Sequence, residues 1–508
     1  MHIRIWPDMI MGIKHIALNH DRNGLMRKLA PNCLLLILVT LIFLSGCTPT
    51  GEIASHQKPT LTPTKPILPT RTPIAQPSIT PAPTRQAHLA VDTAALQGTT
   101  IYFWAPWIDA SHETAVQLIN TFNQENLWGI NVVTYFPGSS NAMFQEMVKN
   151  RSGDFLPSVA VLTVSQMNTF QDVTNLLVDM DSYLRDSEWG LPEKDIADFS
   201  KSFLQQNLVD DRLNGIPAQQ NGEVLFYNQT WAEELGFDSA PSSPSEFKEQ
   251  SCAAARSLMQ DDNKDNDGTG GWIISRNAAA TASWMAAFGS DELLDSDLTE
   301  YQFHNHENLA AITYLRDLFD NNCSWISRLP TPYDYFANRQ ALFYSGSLAD
   351  IPTQVMAQTR SGSSDSWSII RYPALQGNPI FLTHGSSYSI LSANPQEQLA
   401  SWLLVSWLVQ PEQQSALLKT EIGLPVSTAS AVMTKSLIDQ YPQWAQSVDW
   451  MPLSDTLPQS AEWRRVSPMM EDAVWQLYQH TTLKENLADI LSMLDQTILE
   501  TREHTPQD

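Results

Sequence analysis

The sequence predicts an α/β protein with two globular units, and three observations support this fold class. Residues 99–508 exceed the length that one hydrophobic core usually serves. Hydrophobic residues make up 43% of the chain, which is enough for substantial cores. From residue 100 onwards, strand-like and helix-like patterns alternate, as is typical of a parallel sheet with right-handed crossovers.

The first elements follow this alternation closely. β-rich segments predict strands at 100–104, 130–136 and 158–163. Apolar faces at helical spacing predict helices at 111–126 and 141–151. Because ligands gather at the carboxyl ends of parallel strands, we expect the loops 105–110 and 137–141 to border a binding site.

The remaining elements are predicted from shorter signals. Strands are predicted at 215–217, 224–228, 341–345, 367–372 and 387–391, and helices at 229–236, 245–260, 282–288, 306–322 and 394–410. Asn394, Pro395 and Glu397 form a strong helix start. An apolar stripe on the last helix predicts core packing, with coiled-coil dimerisation as the alternative; its members are Leu483, Leu487, Ile490, Leu491, Leu494 and Ile498.

The N-terminal region predicts export and lipid anchoring. The apolar run 34–44 is about half the roughly 20 residues that a membrane-spanning helix needs, although a transmembrane anchor is the alternative. Leu44-Ser45-Gly46-Cys47 resembles the bacterial lipobox, in which a signal peptidase cuts before the cysteine and the thiol is lipidated. The resemblance implies a signal peptide at 1–46, starting at Met1 or Met26, and an acylated Cys47.

A Thr/Pro-rich linker follows Cys47 and extends to residue 98. Proline fixes φ and has no N–H donor, so this tract is expected to be an extended, semi-rigid spacer. Two further cysteines remain, Cys252 and Cys323. In an oxidising compartment we expect them to form a disulfide.

The formal charge of -25 excludes two classes of ligand. Nucleic acids and other polyanions need clustered Lys and Arg, and the chain shows no basic patch. The acidity itself is explained by the solubility of an exposed protein.

The order of several short motifs resembles the extracellular solute-binding proteins of ABC importers, of the maltose- and oligosaccharide-binding type. The matching segments are Ile101-Tyr102-Phe103-Trp104, Phe122-Asn123, Gly129-Ile130-Asn131-Val132, Leu213-Asn214-Gly215-Ile216-Pro217, Leu225-Phe226-Tyr227-Asn228, Leu235-Gly236-Phe237, Ala341-Leu342-Phe343, Ala400-Ser401-Trp402 and Gly423-Leu424-Pro425-Val426. This resemblance implies a two-lobed, periplasmic-binding-protein-like fold of type II, with strands crossing a hinge and a ligand cleft between the lobes. Lobe one would comprise 99–220 plus 367–414, and lobe two 221–366 plus 415–508.

The resemblance also implies a function. The chain would be a monomeric, lipid-anchored substrate-binding protein on the extracytoplasmic face of the cell membrane, without catalytic residues, cofactor or metal. It would deliver a carbohydrate, an oligosaccharide, to the permease subunits of an importer. The alternatives are a surface carbohydrate-active hydrolase, a solute sensor, and a glycerol-phosphate-type binder with the same fold.

Candidate ligand-binding residues combine aromatic and polar side chains. Aromatic faces pack against sugar rings, and amides and hydroxyls bind their hydroxyl groups. Trp104, Trp107 and Trp284 are the aromatic candidates, with core packing as the competing explanation. The polar candidates, for which an ordinary turn or helix cap is the alternative, are Ser139, Ser140, Gln219, Gln220, Asn221, Ser345, Gly346, Ser347, His384, Gly385 and Ser386.

Two other motifs have simpler explanations. The segment 263–268 resembles the start of a calcium loop, but Ile274 replaces the bidentate Glu, so an exposed turn is predicted and calcium is the alternative. Ser245 and Lys248 fit a bare Ser-x-x-Lys pattern, yet Ser245 is better explained as a helix cap after Pro244.

Overall fold

Alternating strands and helices build the beginning of the described chain. A computed structural model describes residues 91–152, 155–209, 211–290 and 301–503, all within the unit Thr80–Asp508. The predicted signal peptide, Cys47 and the linker up to residue 90 lie outside the described residues.

Twelve strands occur in the described residues. They are β1 (Thr100–Trp104), β2 (Asn131–Tyr135), β3 (Val159–Thr163), β4 (Leu208–Val209), β5 (Arg212–Leu213), β6 (Ile216–Asn228), β7 (Trp272–Ile273), β8 (Ser324–Trp325), β9 (Phe343–Ser347), β10 (Trp367–Ile370), β11 (Leu382–Ile390) and β12 (Asp455–Thr456).

Nineteen α-helices occur in the same residues. They are α1 (Asp109–Glu125), α2 (Ser140–Lys149), α3 (Val164–Thr174), α4 (Asp181–Leu184), α5 (Glu193–Asp198), α6 (Lys201–Gln205), α7 (Gln229–Glu234), α8 (Pro244–Gln260), α9 (Ala278–Ala287), α10 (His306–Asp320), α11 (Tyr333–Ala337), α12 (Ile351–Ser361), α13 (Pro395–Leu408), α14 (Pro411–Leu418), α15 (Thr428–Val432), α16 (Lys435–Gln440), α17 (Pro442–Trp450), α18 (Trp463–Leu477) and α19 (Leu487–Glu503). Within the described ranges, no helix combines the length and the apolarity that a membrane span requires.

Ten strands form one mixed sheet in the order β2-β1-β3-β11-β6-β9-β7-β8, with β10 paired to β6 and β12 paired to β11. β1 is parallel to both β2 and β3, as the βαβ pattern predicted. β11 is antiparallel to β3 and to β6. Thr163, at the carboxyl end of β3, therefore lies beside Ser386 of β11, which pairs with Gln219 of β6.

β6 is longer than the sequence suggests. We predicted two strands, at 215–217 and 224–228, but one strand spans Ile216–Asn228. The polar residues between these segments resemble a loop, yet they pair with β11 on one side, and Glu223 pairs with β9. Long-range backbone pairing thus overrides the local polarity.

The interior consists of several apolar clusters, and β6 links them. Its first part contributes Ile216 and Ala218 to a cluster built mainly from 96–218 and 388–426. Its last part contributes Leu225 and Tyr227 to a second cluster, which extends to α18 and α19. The predicted lobe boundaries stay a prediction. Residues 370–382, which the prediction assigns to lobe one, pack with this second cluster.

Two helices show how local sequence sets the elements. In α8, Ser243 forms a capping box with Glu246, so Ser243 and not the predicted Ser245 caps the helix. In α19, the apolar stripe from Leu487 to Ile498 is buried in the second cluster, whereas Leu483 precedes the helix and is 54% exposed.

The structure joins Cys252 and Cys323 in a disulfide. Cys252 lies in α8, and Cys323 lies directly before β8. The bond therefore ties a helix of the second cluster to the sheet.

Candidate functional site

A cavity of about 580 Å³ opens at the carboxyl ends of β1 and β3, beside the paired strands β6 and β11. We call it the groove. Its walls come from four segments and two single residues: 106–111, Ser140, Thr163, 218–221, 384–386 and parts of 414–430. This position agrees with the rule that ligands bind beyond the carboxyl ends of parallel strands.

The loop after β1 forms the first wall and includes Trp107. The indole is only 5% exposed, and its ring lies 5.9 Å from that of Phe103 and 6.4 Å from that of Tyr388. Its Nε1–H donates a hydrogen bond to Oε1 of Gln219. Trp107 thus borders the groove, but most of its ring is packed in the core.

A capping network holds the wall beside β3. Thr163 caps α3, and the backbone N–H of Thr163 donates in return to Oε1 of Gln166, 3.1 Å away. The hydroxyl of Ser140 also donates to this Oε1, at 3.0 Å. Because Gln166 is buried, it fixes the start of α2 against the end of β3.

The paired strands β6 and β11 form the floor of the groove. Gln219, Gln220 and Asn221 pair with Ser386, Gly385 and His384. A Cβ added at Gly385 would lie 2.2 Å from the carbonyl oxygen of Gln219, so only glycine permits this approach. The side chains of Gln219 and Asn221 are half-buried, whereas Gln220 is buried and accepts a hydrogen bond from Gln206 at 3.0 Å.

The segment after α14 closes the groove from the third side. The Leu424 N–H donates to the Gln220 carbonyl at 2.7 Å, and the hydroxyls of Ser111 and Thr420 are 3.0 Å apart. Glu421 points to the groove, and its Oε2 lies 3.4 Å from Nε2 of Gln219.

The groove is acidic. Partial loss of hydration between its walls raises the pKa of Glu421, while the hydrogen bond from Gln219 and the charge of His384 act in the opposite direction. Nε2 of His384 lies 3.1 Å from the carboxylate of Glu223, a buried residue on β6. Among the described residues that line the groove, none is Lys or Arg.

The structure separates the predicted site residues into two groups. Those that line the groove are Trp107, Ser140, Gln219, Gln220, Asn221, His384, Gly385 and Ser386. Ser139 is the N-cap of α2, and Ser345, Gly346 and Ser347 belong to β9 rather than to a loop after it. Ser347 nevertheless contacts the groove floor, because Asn221 donates to its hydroxyl at 3.4 Å.

Trp104 and Trp284 lie in cores instead of the groove. Trp104 is 1% exposed and packs against Tyr135, with ring centroids 4.8 Å apart. Trp284 is also 1% exposed and contacts Phe247, with ring centroids 5.0 Å apart. In both cases the packing explanation accounts for the residue.

Other groove residues were not predicted. Ser111, Thr163, Thr420 and Glu421 line it, and Asp109, which belongs to the predicted loop 105–110 but was not singled out, lines it as well. Thr163 carries a capping signal, Thr-x-x-Gln, that could have been found. Glu421 carries none, because its partner Gln219 is 202 residues away in the sequence.

A further set of contacts joins α18, which belongs to the second cluster, to α2 and α3. The carbonyl oxygens of Gln459 and Ala461 accept hydrogen bonds from Asn168 and Thr169 of α3, at 2.7 and 3.3 Å. The guanidinium of Arg464 lies 4.0 Å from the ring centroid of Phe144 in α2. Residues 459–464 thus connect α18 to α2 and α3.

Within the described residues, no group of three or more His, Cys, Asp or Glu side chains is placed to hold a metal ion. The predicted turn at 263–268 is held to the end of α8, since Nδ2 of Asn266 donates to Oδ2 of Asp261 at 2.9 Å.

Comparison with protein-family models identifies a family for this chain. A family model described as bacterial extracellular solute-binding protein matches residues 117–446. A comparison with curated protein sequences gives no match.

Several solved structures share the fold. The sugar-binding protein MalE from Xanthomonas citri is similar with a TM-score of 0.68 and 21% identity, covering 81% of this chain and 100% of that one. The cyclic alpha-maltosyl-1,6-maltose binding protein from Arthrobacter globiformis has a TM-score of 0.65 and 16% identity, covering 79% and 99%. UgpB from Mycobacterium tuberculosis, solved with glycerophosphocholine, has a TM-score of 0.61 and 16% identity, covering 80% and 100%. The fold is thus the two-lobed α/β architecture of these proteins.

Proposed function

Because the chain belongs to the bacterial extracellular solute-binding proteins, we propose that it binds an oligosaccharide in the groove and delivers it to the permease of an ABC importer. The groove's polar composition carries this proposal. Amides, hydroxyls and a carboxylate converge on it from Gln219, Asn221, Ser111, Thr420 and Glu421. Such groups can donate to and accept from the many hydroxyls of a sugar.

The volume and the aromatic content indicate how the sugar would be held. A cavity of about 580 Å³ is within the range of roughly 300–1,000 Å³ that small-molecule sites occupy. Among the described lining residues, Trp107 is the single indole, and it is only 5% exposed. Hydrogen bonds to amides would therefore contribute more than ring stacking in this groove.

Closure of two lobes around the sugar is part of the proposal. The lobes would be 99–220 plus 367–414 and 221–366 plus 415–508, with β6 among the strands that cross between them. Hinge closure buries a solute and creates a surface that the permease can recognise. β6 supports this proposal because it carries groove residues and reaches both main clusters.

The membrane attachment is proposed from the sequence. Cys47 would carry the lipid on the extracytoplasmic face, the tract up to residue 98 would act as a spacer, and the protein would act as a monomer. Incorporation of labelled fatty acid into the full chain should occur in the wild type and disappear in Cys47→Ala. Equal labelling of both proteins would refute the anchor.

A thermal-shift screen of mono- and oligosaccharides tests the binding. A ligand that binds only the native state raises the melting temperature by mass action. The best hit should be measured by calorimetry against the wild type, Trp107→Ala and Glu249→Gln. Glu249 is an exposed carboxylate of α8 and serves as the control.

Trp107→Ala should weaken binding by roughly 1 to 3 kcal/mol, because it removes both the ring and the donor that orients Gln219. Glu249→Gln should bind like the wild type. No shift with any saccharide would refute the proposal, and unchanged affinity of Trp107→Ala would assign that residue to packing alone. Recovery of cleaved glycan after incubation would favour the hydrolase alternative instead.

A further inference from the structure

The groove presents carboxylates without matching cations. Asp109 and Glu421 line it, and none of the described lining residues is Lys or Arg. His384 is the one basic side chain among the described lining residues; it faces the carboxylate of Glu223 at 3.1 Å, and its charge also acts on Glu421. Carboxylates therefore outnumber basic side chains in the groove.

The orientation of Gln219 leaves Glu421 open toward the groove. An indole N–H can only donate, so the hydrogen bond from Trp107 requires Oε1 of Gln219 to face that ring. The amide nitrogen of Gln219 then faces Oε2 of Glu421, at 3.4 Å. This single long contact leaves most lone pairs of the carboxylate available to a donor on the ligand.

Asp109 lies in the wall formed by residues 106–111. It is the first residue of α1, where the helix dipole also favours a carboxylate, so Asp109 alone does not identify a ligand. However, the contact between Ser111 and Thr420 at 3.0 Å brings its segment against that of Glu421. Within the described residues, neither carboxylate forms an ion pair with Lys or Arg.

The nearest cations have other positions. Arg464 lies over Phe144 and donates to Asn141 Oδ1 at 3.4 Å, beside the start of α2. Lys419 is exposed and lies between the lining residues Leu418 and Thr420, but it is not itself part of the lining. The net charge of -25 adds a field that attracts cations to the protein over longer distances.

From these charges we infer that the solute is a cationic saccharide, an oligosaccharide with at least one free amino group whose ammonium contacts Glu421. This inference rests on the proposed function and narrows its substrate class. An ammonium supplies three donors and the missing positive charge, whereas a neutral hydroxyl supplies one donor and no charge. A phosphate ester would face two carboxylates with no Lys or Arg among the described lining residues.

Matched pairs of oligosaccharides test this inference. The two members of each pair share backbone, length and linkage. The amino member carries a free amino group where its neutral partner carries a hydroxyl or an N-acetyl group, and pairs are made in both the gluco and the galacto series. Isothermal titration at pH 7 should show that an amino member binds at least about tenfold more tightly than its neutral partner, as expected for a charge-assisted hydrogen bond. Its affinity should fall as salt is raised.

Substitution of the carboxylate provides the second test. Glu421→Gln keeps the shape of the side chain and should lower the preference for the amino member about tenfold, while Glu249→Gln should leave the preference unchanged. A melting curve of unliganded Glu421→Gln checks that it is folded, and the salt dependence of the wild type is an independent measurement.

Three outcomes would contradict the inference in distinguishable ways. Neutral partners that bind as tightly as the amino members would overturn the cationic class and leave the oligosaccharide function intact. A preference for the amino member that survives in Glu421→Gln would overturn the role of Glu421. Failure of every member of both series to bind would overturn the inference and the proposed function together.

Discussion

Removal of the disulfide between Cys252 and Cys323 should destabilise the protein substantially. The perturbation is the double substitution Cys252→Ala and Cys323→Ala in the full chain. Cys323 is 1% exposed, so alanine is chosen because it introduces no polar group into the second cluster. The effect is expected mainly in the unfolded chain, where the bond restricts a long loop.

The magnitude follows from the length of that loop. The two cysteines are 71 residues apart in the sequence. In the chain-entropy relation, such a loop removes about 15 cal/mol/K from the unfolded ensemble, which corresponds to about 4.4 kcal/mol at 25 °C. This amount is a large fraction of the roughly 5–15 kcal/mol by which folded domains are usually stable.

Urea denaturation at 25 °C measures the effect. The midpoints of wild type and double variant are compared after checking that the slopes agree, since a changed slope would indicate an altered unfolded or intermediate state. Wild type kept in reductant should behave like the variant. A loss below about 1 kcal/mol, with the bond in the wild type verified by mass, would refute the loop-entropy reasoning.

Three other perturbations have defined outcomes. Gly385→Ala should cost about 1 to 3 kcal/mol, because its Cβ would meet the Gln219 carbonyl, and calorimetry showing an unchanged melting temperature would contradict this. Glu421→Gln should stabilise the unliganded protein at pH 7. The pKa of Glu421 in the folded protein is raised above the ordinary value of 4.5, so ionisation of this carboxyl costs stability as the pH rises from 4.5 to the folded pKa. The stability gained in Glu421→Gln should therefore be lost at a pH below 4.5, and melting curves with a gain independent of pH would contradict this. Arg464→Ala should loosen the contact with α2 and weaken ligand affinity about two- to fivefold, which corresponds to a cation–π contact worth roughly 0.5 to 1 kcal/mol, and scattering profiles and affinity identical to wild type would argue against it.

The sequence predicted the parts of the fold that depend on local patterns. β1 begins and ends at the predicted residues, and α1, β2, α2 and β3 differ from the prediction by two residues or fewer at each end. Hydrophobic periodicity and capping residues determine such elements within a short window. The same reasoning placed the groove beside the loop after β1, where Trp107 lies.

Features that depend on distant contacts could not be predicted in this way. The middle of β6 is polar, and only its pairing with β11 makes it a strand. A tryptophan in a strand gives no local sign of whether it faces a ligand or a core, and Trp104 faces a core because helices cover both sides of its sheet. Glu421 acquires its position only through Gln219 and the loop after α14.

The continuity of β6 has a mechanical consequence. The strand that supplies Gln219 and Asn221 to the groove continues, without interruption, to Asn228, which pairs with Trp367. Near that end, Phe226 stacks on Trp367 with ring centroids 5.6 Å apart. A shift of the strand on loading would therefore alter the surroundings of Trp367, an indole that does not line the groove.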